Sequence, residues 1–122
     1  MSLKLKSLIK IHKQYMKLTN EFQSIRDWAK DKGIYEKGDP KTQYIKLMEE
    51  VGELAQSILK NNPEEFMDAI GDCVVVLTNL AELNDVKIED CINGSYSVIA
   101  KRKGQMINGT FVKELQKLYE SK

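Results

Sequence analysis

The stretch that decides the fold is residues 46–80, with the sequence KLMEEVGELAQSILKNNPEEFMDAIGDCVVVLTNL. Between residues 49 and 72 it holds one lysine and the acidic side chains Glu49, Glu50, Glu53, Glu64, Glu65, Asp68 and Asp72. The acids are spaced three and four apart on two predicted helices, and this spacing places side chains on one face of a helix. If the two faces meet, the carboxylates converge and need a cation. The stretch therefore predicts a magnesium site between two helices.

Two cap-and-proline pairs mark where these helices begin. Asp39-Pro40 and Asn62-Pro63 each place a capping side chain before a proline, which is favoured at the first position of a helix. The first helix is predicted to end near Lys60 and the second near Leu83. The second half of the later helix is apolar on nearly every side, so we expect burial on most sides, in part by a partner subunit. The predicted inward face of the first helix is Ile45, Met48, Val51, Leu54, Ala55 and Ile58.

The N-terminal part of the chain is predicted to hold one further helix. Thr19 or Asn20 can cap a helix that ends near Lys32, and a polar loop is expected at residues 33–39. The residues before it, 1–19, are lysine-rich and are expected to form a basic helix or an arm.

The C-terminal part continues the helical pattern. A helix is expected over residues 88–103, followed by a turn at 104–110 and, within 105–122, a tail or short helix. Because the apolar period is helical almost throughout, the predicted fold class is all-α. We expect a single-domain bundle of four to five helices over residues 20–104, completed by oligomerisation.

Composition limits the classes of function. The chain has 122 residues, 42% of them hydrophobic and 30% charged, as in a soluble globular protein with a modest core. The cysteines Cys73 and Cys91 lack metal-site spacing, and the only histidine, His12, leaves little basis for histidine catalysis. We find no signal peptide and no apolar run near the roughly 20 residues that span a bilayer. A cytoplasmic protein without a membrane partner is expected.

Nucleic acid is a weaker alternative partner. Residues 1–20 contain five lysines and no acid, so they could form a basic arm. The net charge of the whole chain is only +1, which does not favour a nucleic-acid-binding protein. The lysines could equally lie on a solvated helix face or at an oligomer contact.

The spacing of the acids is compatible with both a metal site and a solvated surface. Lys46, Glu50 and Glu53 share one helical stripe, and Asp68 and Asp72 share another with Asn79; carboxylate and amide oxygens are the donors that Mg²⁺ prefers. Two like charges about 4 Å apart repel by roughly 4 kcal/mol at an effective dielectric near 20, so a metal would relieve a real cost. Acids at this spacing are also common on exposed helices, where Lys46 and Glu50 would form an ordinary ion pair. The acid pairs border apolar residues, which favours the metal.

A family resemblance supports the metal interpretation. The segment Lys46-Leu-Met-Glu49-Glu50-Val-Gly-Glu53-Leu-Ala55, followed by Asp68-Ala-Ile-Gly71-Asp72 and an apolar helix, resembles the MazG-like nucleotide pyrophosphohydrolases of the all-α NTP pyrophosphatase superfamily. Their pattern is EExxE, a spacer and ExxD. The first half matches in full. In the second half Ala69 stands where a glutamate is expected, and either Asp68 or the literal Glu65–Asp68 pair could replace it.

The resemblance implies a role for each acid. Glu50, Glu53 and Asp72, together with Asp68, would coordinate Mg²⁺, with Mn²⁺ as a substitute. Glu49 would be a further ligand or would orient or deprotonate the attacking water. The reaction implied is hydrolysis of a nucleoside triphosphate to monophosphate and pyrophosphate, in a homodimer or homotetramer.

Candidate substrate contacts lie outside the acids. Lys101, Arg102 and Lys103 could bind phosphate or could simply complement the C-terminus of a helix, and Lys46 is a second phosphate candidate. Trp28 could stack on a base or belong to the core. Asn79 could bind substrate or lie at a subunit interface.

The main rival to an enzyme is a helical interaction module that keeps this fold without catalysis. Ala69, which stands where the family has a glutamate, supports that rival.

Overall fold

The computed structural model describes residues 1–114, and for residues 15–20 the backbone alone. Within this part the elements are α1 (Leu3–Asp31), α2 (Ile34–Lys37), α3 (Pro40–Leu59), α4 (Pro63–Leu83), α5 (Ile88–Ile99), β1 (Gly104–Ile107) and β2 (Thr110–Lys113). The predicted helical fold is confirmed. The described residues divide into two compact units, residues 1–89 and the residues from 90 onward. None of the helices in the described residues combines the length and apolar character needed to cross a membrane.

The helices α3 and α4 begin where their caps predict. The Asp39 carboxylate accepts hydrogen bonds from the backbone N–H of Thr42 at 2.9 Å and from its hydroxyl at 2.8 Å. The Asn62 side chain accepts from the backbone N–H of Glu65 at 3.2 Å. Each cap satisfies a donor that the first turn leaves free, and a proline follows each at the first helical position.

The first helix is longer than predicted. α1 runs without a break from Leu3, where the Ser2 hydroxyl accepts from the N–H of Leu5 at 3.1 Å, so the predicted helix start at Thr19 or Asn20 is wrong. Residues 3–31 contain no proline or glycine that would end a helix, and a capping side chain alone does not interrupt one. The basic residues of the predicted arm therefore form the first turns of α1.

A short helix replaces the predicted polar loop. α2 lies between Gly33, whose φ is +80°, and Gly38, whose N–H donates to the Ile34 carbonyl at 2.8 Å. A Cβ on residue 38 would collide with that same carbonyl oxygen, so this tight turn requires glycine. α2 packs against α1 and α4.

Small residues are among the buried side chains of α3 and α4. Ser57 on α3 and Ala69 and Thr78 on α4 are buried. The two hydroxyls donate to carbonyls of their own helices, at 2.7 Å to Leu54 and 2.7 Å to Val74, so their burial leaves no free donor.

Most of the predicted inward face of α3 is exposed in the single chain. The exposed residues are Ile45, Met48, Val51, Ala55 and Ile58, whereas Leu54 is half-buried and Glu50 and Ser57 are buried. The prediction that these apolar residues face the core is therefore wrong for one chain. The buried residues of α3 are Glu50 and Ser57 instead.

The second unit departs from the predicted C-terminal segment. α5 ends at Ile99 rather than near residue 103, and β1 and β2 form an antiparallel hairpin with Gly104 opposite Lys113. Residues 105–113 are thus a hairpin and not a tail or helix, because Asn108 and Gly109 both adopt positive φ, the turn that joins two twisted strands. The rest of the predicted segment, 115–122, lies outside the described residues.

Candidate metal centre and adjoining cleft

Three carboxylates from α3 and α4 converge. Glu50 and Glu53 lie one turn apart on α3, Asp72 faces them from α4, and one oxygen of each lies within 4.8 Å of the others. The spacing on α3 places both glutamates on the face that packs against α4. The structure thus brings together three of the four predicted metal ligands.

Glu50 is the buried member of this acidic cluster. It is 7% exposed, and its Oε2 has no hydrogen-bond partner within the described residues. Its other oxygen lies 3.3 Å from Lys46 Nζ. A buried carboxylate oxygen without a partner costs free energy, so one that is retained needs a partner from outside the chain.

The electrostatics of the cluster are those of acids that repel one another. The neighbouring Glu50 raises the pKa of Glu53, chiefly through its charge. Burial is the main cause that raises the pKa of Asp72, followed by the charges of Asp68 and Glu50. Burial also raises the pKa of the adjacent Cys73 thiol, and the same acids add to the effect. Each raised pKa means that the ionised form of the group is disfavoured at this place. A bound cation would reduce that cost by attracting the negative charges.

Lys46 partly neutralises the α3 acids. Its ammonium lies 3.2 Å from Glu49 and 3.3 Å from Glu50, and hydrogen bonds to these two carboxylates raise its pKa. The Glu49 side chain is largely exposed and is paired with this lysine, outside the three-carboxylate cluster. Glu49 thus stands at the rim of the cluster with one cation beside it.

The predicted fourth ligand has one better-placed candidate. The charge of Asp68 contributes to the raised pKa of Asp72, whereas Glu65 lies 3.9 Å from Lys60. Ala69 is 3% exposed and lines a cleft of about 270 Å³ together with Glu53, Gln56, Lys60, Glu65 and Asp68. Asp68 is therefore the acid that extends the cluster on α4.

A second cleft, of about 290 Å³, adjoins the cluster, and we call it the aromatic cleft. It is lined by Trp28, Ile34, Gln43, Lys46, Glu50, Asp72, Val75, Val76 and Asn79. It combines carboxylates with an aromatic ring, aliphatic side chains and an amide. Trp28 is 50% exposed and Asn79 is 2% exposed. Such a mixture suits a ligand with a charged end and a flat apolar end.

The remaining predicted contacts lie in the second unit. Lys101, Arg102 and Lys103 are exposed residues between α5 and β1. The N–H groups of Lys101 and Arg102 donate to carbonyls of the last turn of α5, so these residues follow the helix end. Their contact with phosphate stays a prediction.

Sequence reasoning missed Ile34 and Tyr35. Ile34 lines the aromatic cleft, and the Tyr35 hydroxyl donates to Asn79 Oδ1 at 2.7 Å. Both belong to α2, in the segment predicted to be a polar loop. The available signal was an apolar and an aromatic residue placed directly after Gly33 and four residues before Gly38, where a solvated loop would carry polar side chains.

The three carboxylates fit a hard divalent cation. Mg²⁺ binds one or two carboxylates directly and completes its octahedron with water and substrate oxygens. Glu50 Oε2 supplies a buried oxygen with no protein partner in the described residues, and Glu53 and Asp72 supply partly accessible ones. The donors are oxygens throughout, as such a cation requires.

Comparison with known proteins adds to this geometry. A protein-family model described as MazG nucleotide pyrophosphohydrolase domain matches residues 39–107, more than half of the chain, including α3 and α4. An uncharacterized 18.2 kDa protein in the rep-hol intergenic region of Haemophilus phage HP1 is 45% identical over 64 residues, which are 52% of this chain and 39% of that protein. The chain therefore covers less than half the length of this curated relative. The comparison with solved structures found no match to this chain.

Proposed function

Because the chain belongs to the MazG nucleotide pyrophosphohydrolase domain family, we propose that it is a Mg²⁺-dependent nucleoside triphosphate pyrophosphohydrolase. The observation that carries this proposal is the convergence of Glu50, Glu53 and Asp72 beside the aromatic cleft, with a buried Glu50 oxygen that no described residue satisfies. The reaction converts a nucleoside triphosphate and water into a nucleoside monophosphate and pyrophosphate.

The carboxylates of α3 and α4 would hold the metal. Glu50, Glu53 and Asp72 would be ligands, with Asp68 as the fourth acid, and Mn²⁺ would substitute for Mg²⁺. When bound, the ion would shield the charge of the triphosphate and acidify a water molecule. Glu49, whose carboxylate lies at the exposed rim of the cluster, would be a further ligand or would orient or deprotonate the attacking water.

The bond changes are those of an anhydride hydrolysis. The water oxygen bonds to one phosphorus of the α–β anhydride, the bond between that phosphorus and the bridging oxygen breaks, and the electron pair of that bond leaves with the product that keeps the bridging oxygen. No covalent nucleophile is needed, so the task of the protein is to position the reactants and to stabilise charge.

Cations and the aromatic ring would hold the substrate. Lys46 lines the aromatic cleft and would contact the phosphates. The resemblance to the family is what supports a phosphate contact for Lys101, Arg102 and Lys103. Arg102 can make a bidentate contact with phosphate oxygens. Trp28 would stack on the base, and Asn79 would donate a hydrogen bond at the same end of the cleft.

A homodimer or homotetramer is the proposed assembly, in the cytoplasm. Exposed apolar side chains lie along α3 and α4, and a partner would bury them; they include Ile45, Met48, Ile58, Val74 and Leu77. Exposed apolar surface on this scale is typical of an interface between chains. It also accounts for the nearly all-round apolar character of the second half of α4.

Product analysis tests the proposal directly. The purified protein is incubated with each ribo- and deoxyribonucleoside triphosphate and Mg²⁺, and the products are resolved. Monophosphate with pyrophosphate supports the proposal, and diphosphate with orthophosphate would assign another reaction. No turnover with any nucleotide would favour the rival, a helical interaction module without catalysis. Asp72→Asn is the inactive variant, and Glu64→Gln, a change in the exposed first turn of α4, is its matched control.

A further inference from the structure

The two polar groups Tyr35 and Asn79 meet next to the aromatic cleft. The Tyr35 hydroxyl donates to Asn79 Oδ1 at 2.7 Å, across 44 residues of sequence. Asn79 lines the cleft and is almost fully buried. Among the described side-chain hydrogen bonds, the one that involves the Asn79 amide is accepted by its Oδ1, and none has Nδ2 as its donor. A buried amide normally has its donors satisfied, so the second half of this side chain is available to a ligand.

The helix α2 holds Tyr35 in place. It is a single turn between Gly33, in the left-handed region, and Gly38, where a side chain would collide with the Ile34 carbonyl. α2 packs against both α1 and α4, and its Ile34 lines the cleft while Tyr35 reaches Asn79. The Tyr35 hydroxyl is therefore held against Asn79 Oδ1 by a constrained helical turn.

The phenol is a hydrogen-bond donor at every physiological pH. Burial raises the pKa of Tyr35 to about 12, with a further contribution from the charge of Glu82 and an opposing one from Arg26. A protonated hydroxyl that donates to Oδ1 fixes which end of the amide is the oxygen. The Nδ2 end then faces a ligand as a donor only.

We propose that Tyr35 is a positioning residue that orients Asn79, so that the aromatic cleft prefers bases with a keto oxygen over bases with an amino group at the same edge. The inference rests on the proposed function for the presence of a nucleotide in the cleft. An N–H donor pairs with the keto oxygen of uracil, thymine or guanine. It opposes the amino group of cytosine or adenine, leaving two donors unpaired against each other.

Binding of nucleoside monophosphates tests this inference without catalysis. Trp28 is the only tryptophan and lines the cleft, so its fluorescence reports occupancy. UMP, CMP, GMP and AMP are titrated into the full chain. We expect UMP to bind about tenfold more tightly than CMP, and GMP more tightly than AMP, as one hydrogen bond gained and one clash avoided would give.

Two variants separate positioning from mere stability. Tyr35→Phe keeps the ring and removes the hydroxyl, so the UMP-to-CMP ratio should fall towards one, while Asn79→Asp replaces the donor by an acceptor and should reverse it. Tyr44→Phe, on the exposed side of α3, is the matched control and should leave the ratio unchanged. A thermal melt of each variant shows whether it is folded. A lower melting temperature with an unchanged ratio would assign Tyr35 a structural role only.

Failure of the inference is distinguishable from failure of the proposed function. If the protein releases pyrophosphate from nucleotides but Tyr35→Phe keeps the base preference, the inference is wrong and the proposed function stands. If the base preference depends on Tyr35 but no nucleotide is hydrolysed, the inference stands and the enzyme assignment is wrong. Absence of monophosphate binding, or a preference for CMP over UMP, would overturn the inference.

Discussion

Residues 1–89 contain an ion pair, Arg26–Glu89, and the acidic cluster of Glu50, Glu53 and Asp72, and the two differ in how their negative charge is balanced. Arg26 on α1 is buried and donates to both oxygens of Glu89 at 2.6 and 2.7 Å, and its guanidinium lowers the pKa of that carboxyl. Among Glu50, Glu53 and Asp72 no such pairing is complete, and the pKa values of Glu53 and Asp72 are raised. The Arg26–Glu89 pair is satisfied by the chain itself, whereas Glu50 Oε2 has no hydrogen-bond partner among the described residues. This difference separates a structural ion pair from a functional site.

The largest expected effect comes from Glu50→Gln. Removing the buried ligand should lower nucleotide hydrolysis by about 10²–10³-fold, comparable to the loss of one electrostatic contact in a transition state. The same change should stabilise the metal-free protein, because an amide of equal size does not repel Glu53 and Asp72. Steady-state kinetics and urea unfolding without metal measure the two effects. Loss of activity together with loss of metal-free stability would make Glu50 a structural residue.

Glu89→Gln should have the opposite effect on stability. It leaves Arg26 buried and without its charged partner, so the free energy of unfolding should fall by about 2 kcal/mol. In a double-mutant cycle, the variant that carries both Glu89→Gln and Arg26→Gln should lose less stability than the sum of the two single variants, because the two residues act as a pair. Urea unfolding of the four proteins measures it. Additive effects of the two changes would contradict the comparison between the ion pair and the acidic cluster.

Asp68→Asn tests which acid of α4 acts together with Asp72. Because Asp68 lies beside Asp72, its loss should lower kcat/KM by about tenfold, or roughly 1.4 kcal/mol. The matched change Glu65→Gln, at a residue placed near Lys60, should change kcat/KM by less than about twofold, as an exposed pair contributes little. Equal losses in the two variants, or the larger loss in Glu65→Gln, would identify Glu65 as the acid that replaces the missing glutamate.

The smallest expected effect is on the pH dependence of stability, which should have opposite signs for the acidic cluster and for the Arg26–Glu89 ion pair. The pKa values of Asp72 and Glu53 are raised in the folded state. The two groups therefore contribute stability at pH values below their ordinary pKa, and this stability is lost as the pH rises through their folded-state pKa values. Glu89, with a lowered pKa, contributes stability above its ordinary value that is lost as pH falls.

The change Asp72→Asn isolates this effect. Without metal, the wild-type protein should lose about 0.5 kcal/mol relative to Asp72→Asn as pH rises from about 4 to 7, the small size reflecting solvent screening. Adding Mg²⁺ at pH 7 should restore the wild type more than the variant, because a ligand of the folded state stabilises it. Parallel pH curves with no response to Mg²⁺ would contradict the raised pKa.

Local signals predicted the helices that carry the site. Asp39-Pro40 and Asn62-Pro63 start α3 and α4 because a cap and a proline act within one turn, independent of the rest of the chain. The convergence of acids was predictable for the same reason, since spacing along a helix fixes the face that a side chain occupies.

Contacts between distant residues were not predictable. Tyr35 meets Asn79 across 44 residues and Arg26 meets Glu89 across 63, and neither pairing leaves a trace in local periodicity. The exposure of Ile45 and Ile58 has a related cause, because an apolar stripe does not say whether its own chain or another covers it. The C-terminal hairpin carried its signal at Asn108 and Gly109, which predicted a turn but not the strands on either side.

Binding of Mn²⁺ tests the central claim most directly, since free Mn²⁺ gives an electron paramagnetic resonance signal that disappears on binding. The full chain is titrated with Mn²⁺ alone, without nucleotide, alongside Asp72→Asn and the control Glu64→Gln. We predict that the wild type and the control remove the free signal with equal affinity, and that Asp72→Asn binds at least about tenfold more weakly, as loss of a charged ligand implies. Equal binding by all three proteins, or no binding by the wild type, would contradict the assignment of Glu50, Glu53 and Asp72 as a metal centre.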